Sequence, residues 1–74
     1  MEQFPPIQVL DVVAITGDLP AEGLVRGQVG TVVETLGDGF YEVEFSDDQG
    51  RTYAQAVLTV DQLMVLHYAP RQAA

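Results

Sequence analysis

The chain has no cysteine and no lysine, one histidine and one serine. Each absence closes off a class of protein. Without thiols there is neither a disulfide nor thiolate-bound zinc to staple the fold. A chain of 74 residues hides only roughly 60% of the surface its unfolded form exposes. Its stability therefore rests on a compact apolar core, on a partner, or on both. Three arginines stand against eleven acids, for a formal net charge of −8. Nucleic-acid binding depends on Lys and Arg neutralising phosphates, so that partner class is excluded, and an anionic membrane surface is disfavoured for the same reason. A basic protein partner is favoured, and attraction speeds the encounter. The acids also keep a small domain in solution. Apolar runs such as Val12–Ile15 are about four residues long, far short of a membrane span. Met1-Glu2-Gln3 has neither the basic start nor the apolar stretch of an export signal. The expected compartment is the cytoplasm.

What is present is β-forming. The apolar fraction of 47% suits a globular domain. Phe4-Pro5-Pro6 forbids helix at the start, because proline fixes φ and restrains the residue before it; residues 1–6 are expected to be a flexible arm. Gln8–Thr16 is rich in Val and Ile and reads as a first strand, with Asp11 facing solvent. Residues 17–26 form a long connection punctuated by Gly17-Asp18, Pro20 and Gly23, and Leu19 and Leu24 are expected to pin it to the core. Gln28–Leu36 reads as a second strand with Val29, Thr31, Val33 and Thr35 on one face. Asp38-Gly39 between two strand-like runs is a hairpin signal. Phe40–Ser46 alternates most cleanly: Tyr41, Val43 and Phe45 face the core, Glu42 and Glu44 the water. Asp47–Gly50 is a second hairpin turn, and Arg51–Leu58 a fourth strand. Thr59–Leu63 reads as one helical turn capped by Thr59 or Asp61, and Met64–Tyr68 as a last strand. Residues 69–74 are expected to be a disordered tail.

These lengths predict an all-β fold over residues 7–68, a small SH3-like β-barrel of about five strands with one short 3-10 turn before the last. Closure would remove the edges that so short a sheet exposes. An OB-fold needs longer strands and a helix between the third and fourth, which no segment supplies.

The densest motif is Arg26–Glu34, RGQVGTVVE. It lacks the Gly-Lys-Ser/Thr and the helix of a phosphate-binding loop, and the third glycine of a dinucleotide fingerprint. Gly27–Gly30 has the spacing of a KH-type clamp but none of its basic residues. The motif resembles the turn and strand of KOW-type SH3-like barrels. In that pattern the first glycine, Gly27, makes a tight turn and the second, Gly30, takes a left-handed or bulged position. Gly39 and Gly50 are further turn glycines. The fold implication of that resemblance is kept. The RNA implication is dropped, because the basic residues are missing.

Over a longer span, from Val9 to Tyr68, the segments LDVVAITGDLPAEGLVRGQVGTVVE, GDGFYEVEFSDDQGRTYA and LTVDQLMVLHY resemble the bacterial family called domain of unknown function 4926. The resemblance implies an SH3-like barrel and no activity. An association with small toxin-like neighbours comes with it and suggests an antitoxin- or immunity-like role.

The residue inventory does not build an enzyme. His67 has neither an orienting carboxylate nor the companions a metal needs, and Ser46 has no base in its sequence context. Neither catalytic residue, cofactor nor metal site is expected. The expected function is a non-enzymatic protein-binding module whose acidic surface docks on a protein. The candidates for partner contact are Glu42, Glu44, Asp47, Arg51, Tyr53 and Tyr68. Arg51 is expected to reach Glu44 in a surface pair worth less than about 1 kcal/mol. Tyr41 and Phe45 are assigned to the core. The alternatives are a self-associating homodimer, through an open edge or the apolar Met64–Tyr68 segment, and a small-ligand or cation site on the Glu42/Glu44 face.

Overall fold

The structure is a computed structural model that describes residues 7–68 and residue 70. The arm expected over 1–6 and nearly all of the tail expected over 69–74 lie outside the described residues. Five antiparallel strands form one sheet: β1 (Val12–Ile15), β2 (Val29–Gly37), β3 (Phe40–Ser46), β4 (Thr52–Thr59) and β5 (Leu63–Val65), in the order β4-β3-β2-β1-β5. A 3-10 turn at Val60–Gln62 precedes β5, and another at Pro20–Glu22 lies in the long first connection. The fold is all-β, with the expected number of strands and the 3-10 turn where the sequence placed it. Ile15, Leu24, Val32, Val43, Phe45, Leu58 and Leu63 belong to one core cluster. All five strands contribute to it, so the sheet curls around a single interior. β4 and β5 are not hydrogen-bonded to each other, and the sheet stays open, a form compatible with the SH3-like expectation.

The connections are set by local chemistry. Asp38 (φ 57°) and Gly39 (φ 82°) are both left-handed, as a type I′ turn requires, and β-twist favours that turn between adjacent strands. Gln62 Oε1 accepts hydrogen bonds from the Thr59 N–H (2.9 Å) and hydroxyl (3.3 Å), which closes the 3-10 turn at its start. The long first connection is tied down. Leu19 and Leu24 exchange backbone hydrogen bonds of 2.8 and 3.1 Å, Asp18 Oδ1 accepts from the Arg26 N–H at 2.8 Å, and Gly27 N–H donates to the Ile15 carbonyl at 2.8 Å. Leu24 is buried and Leu19 packs against the core, so both leucines pin the loop as the sequence suggested.

Three expectations are corrected. The first strand starts at Val12, not Gln8. The Asp11 carboxylate accepts from the Gln8 N–H (2.9 Å) and the Asp11 N–H donates to the Gln8 carbonyl (3.0 Å). Together they close a turn that places Leu10 at φ 78°. In β2 the residues expected on one face do not share it: Thr31 stands opposite outward-facing Glu44, but Thr35 stands opposite Tyr41, which packs on the core. A register shift between Val32 and Glu34 changes the facing of the residues after it. Gly30 itself takes neither the left-handed nor the bulged position expected of it. It is a buried strand residue facing Val43 and Phe45 of β3 at close range.

Candidate functional site

β3 supplies the organising axis. Val43 and Phe45 are fully buried and Tyr41 packs against the core, so the intervening Phe40, Glu42, Glu44 and Ser46 lie on the outer face. Residues paired across antiparallel strands share a face. Glu44 stands between Thr31 and Gln55, Glu42 between Glu34 and Val57, and Phe40 between Gly37 and Thr59. The outer face of β2-β3-β4 therefore carries a row of three carboxylates, Glu34, Glu42 and Glu44. Exposed apolar side chains adjoin it: Phe40 at one end, Val57 in the next strand, and Val33 in the bulge beside Glu34.

Glu34 and Glu42 are direct cross-strand neighbours of like charge, an arrangement that destabilises a sheet. Glu42 and Glu44 are half-buried rather than free in water. Gln55 Nε2 donates to Glu42 Oε2 at 2.8 Å. Among the described residues, no salt bridge reaches any of the three acids. Among the described residues no group of three or more His, Cys, Asp or Glu side chains is placed to hold a metal ion.

A second cluster sits at the β3–β4 turn. Asp47 Oδ1 accepts from the backbone N–H of Gln49 (2.9 Å) and of Arg51 (3.0 Å). Asp47 Oδ2 accepts from Arg51 Nε at 3.3 Å, and Arg51 Nη2 donates to Gln49 Oε1 at 2.7 Å. The Arg51–Asp47 pair is the one ion pair among the described residues. Arg51 thus pairs within its own turn and not with Glu44, because a four-residue turn brings Asp47 closer than the strand opposite. Ser46, Asp47, Asp48, Gln49, Arg51 and Tyr53 line a shallow depression of about 390 Å³. The Tyr53 ring lies 6.4 Å from that of Phe45 at 45°, and its hydroxyl accepts from Gln28 Nε2 at 3.1 Å. Tyr53 stays half-exposed at the rim of the core.

The Asp47 carboxyl is held below its ordinary value of 3.8, chiefly by the Arg51 backbone N–H and then by that of Gln49; desolvation opposes them, and the Arg51 side chain adds the smallest lowering. A carboxyl lowered in the folded state stabilises the fold above its unfolded value, and that contribution is lost as pH falls through the folded value. Asp47→Asn is therefore expected to be less stable than the native chain at neutral pH. The gap should narrow as pH drops below 3.8 and close in stronger acid, as read from urea midpoints across pH. A gap constant with pH would mean that the carboxylate charge has no part in the turn.

The structure thus groups the candidates in two: Asp47, Arg51 and Tyr53 at the hairpin tip, and Glu42 and Glu44 on the outer face. Tyr68, 82% exposed, follows β5 and joins neither group. His67 is exposed beside it. Sequence reasoning missed Glu34, whose facing depends on the bulge before it, and Val57, which reads as an ordinary strand residue. Among the described residues no helix is long and apolar enough to cross a membrane.

Fold and surface together define a small all-β domain with an acidic, partly apolar outer face. Residues 9–65 match the family described as Domain of unknown function (DUF4926), and the chain belongs to that family. No curated protein and no solved structure matches it.

Proposed function

We propose that the chain is a non-enzymatic protein-binding module that docks a basic partner on the outer face of β2-β3-β4. The observation that carries this reading is the row Glu34, Glu42 and Glu44, which no cation pairs with among the described residues and which exposed Phe40 and Val57 border. Like charges placed directly across strands cost stability. A cationic partner surface relieves that cost, and the apolar border supplies area that is desolvated on contact. A net charge of −8 steers a basic protein toward the face and repels nucleic acid. An antitoxin- or immunity-like role is one biological form such docking takes.

The test uses the triple variant Glu34→Gln, Glu42→Gln, Glu44→Gln, which keeps shape and removes charge. It is expected to be more stable than the native chain by about 0.5 kcal/mol at low salt, as cross-strand repulsion is relieved. It is also expected to lose a stoichiometric partner that the native chain retains from native extract, a partner that elutes as salt is raised. Equal recovery of the same partner by both chains would refute docking on this face.

A further inference from the structure

The two edges of the open sheet differ. β5 is three residues long, and short edge strands are one way in which proteins avoid unwanted pairing. β4 is eight residues long. Its sequence, Thr52–Thr59, holds no charge, proline or glycine, so none of the residues that usually guard an edge is there. A register irregularity lies near its start, between Phe45 and Ser46 of the partner strand. From Ala54 to Thr59 the pairing with β3 is unbroken. Among the described residues no strand pairs with its other side, so alternate backbone N–H and C=O groups there point away from the sheet.

The rows across β4 specify what would pair with it. On the outer face, Gln55 and Val57 stand next to Glu44 and Glu42. A residue added beyond Val57 lies about two strand spacings, roughly 10 Å, from the acid row. A Lys or Arg stem laid over Val57 spans that gap and delivers its charge to the carboxylates. On the inner face Ala54, Ala56 and Leu58 are uncharged and belong to the core or its border, which suits apolar guest side chains.

We infer that the β4 edge accepts an extended segment of a basic protein as a sixth strand, with cationic side chains outward and apolar side chains inward. Main-chain hydrogen bonds hold such a guest and alternate side chains select it. The inference rests on the reading of the chain as a protein-binding module, and it names the chemistry of the partner segment. A second copy of this chain suits the edge less well, because each copy carries eight net negative charges.

The experiment titrates the full chain with the capped peptide Lys-Val-Lys-Val-Lys-Val and follows backbone amide hydrogen exchange by NMR. Alternate amides between Ala54 and Thr59 are expected to slow at least about tenfold on binding. A peptide of the same composition in block order, or one N-methylated at alternate residues, should produce no such protection. Glu42→Gln with Glu44→Gln should weaken binding of the alternating peptide about threefold to tenfold at low salt, as two surface charge contacts are lost. Binding that perturbs the outer face without protecting β4 would overturn strand addition and leave acidic-face docking standing. So would failure of the peptide to bind while the native partner still depends on Glu34, Glu42 and Glu44. Protection of the β4 amides by raised protein concentration alone would overturn the inference in favour of a second copy.

Discussion

Gly30→Val is expected to leave the chain largely unfolded in water, without the β-sheet circular dichroism expected of the native chain. A Cβ at Gly30 would stand 2.8 Å from Val43 Cγ1, 2.9 Å from the Glu44 carbonyl oxygen and 2.9 Å from Phe45 Cδ2. The carbonyl cannot retreat without disturbing the β2–β3 ladder, and the Val43 and Phe45 side chains are fully buried with nowhere to go. Overpacking of this kind costs about 1–3 kcal/mol for one group and more for a branched side chain pressed on backbone. A core of this size rarely supplies more than about 3–5 kcal/mol. Gly30→Ala should therefore survive with a sharply lowered urea midpoint, and valine should exceed the margin. Adding Val43→Ala to Gly30→Ala removes one of the three obstructions, so the double variant should be more stable than the sum of the single losses implies, by about 1 kcal/mol. Gly27 is a different case: a Cβ there meets nothing within 4 Å, and φ is +92°. Its replacement by alanine costs only backbone strain, about 1–2 kcal/mol. A Gly30→Val chain that melts like the native one would show that β2 and β3 are not packed as described.

The same glycine explains what the sequence discloses and what it hides. β3 is legible because its two faces differ chemically: Tyr41, Val43 and Phe45 alternate with Glu42 and Glu44, and only one phase buries the apolar set. The turns are legible because Asp38-Gly39 and Asp47–Gly50 carry their own geometry. In the 3-10 turn, Thr59 and Gln62 bond each other locally. β2 is not legible in the same way. It has valines in both phases, at Val29, Val32 and Val33, and the phase that wins is decided across the sheet. Gly30 is the residue that lets β3 side chains approach, and the bulge at Val33 then turns Glu34 outward. No local propensity encodes either event. The candidate site divides along the same line. Glu42, Glu44 and Phe40 follow from the alternation of β3, whereas Glu34 and Val57 enter only through register. Arg51 pairs within its turn rather than across the sheet because two backbone hydrogen bonds already fix the Asp47 carboxylate beside the guanidinium, a contact that strand spacing alone does not reveal. Asp11 shows the converse, a side chain that closes a turn inside a run whose composition favours a strand.

Phe45→Ala is the second change with a large expected effect, and its logic is tied to Gly30. Phe45 is the largest fully buried side chain. It stands opposite Ala54 in β4, with the Tyr53 ring against it and Gly30 beneath its Cδ2 edge. The small residues at 30 and 54 are the space into which the ring fits. Truncation removes its apolar burial and leaves a void that rigid strands close poorly, at a cost of about 3–5 kcal/mol. That equals or exceeds the stability available to such a core, so the variant is expected to be unfolded or nearly so, and to regain structure in an excluded osmolyte. Phe45→Leu keeps most of the volume and should cost about 1–2 kcal/mol, so the shape of the loss can be followed by urea titration. If the ring is seated on Gly30, then Gly30→Ala costs less in a Phe45→Leu background than in the native one, because the slimmer side chain can yield to a methyl group. The expected coupling is about 1 kcal/mol, within the range measured for residues in direct contact. Strict additivity of the two changes would mean that the ring and the glycine do not share one space, and the close approach of β2 to β3 would then need another cause.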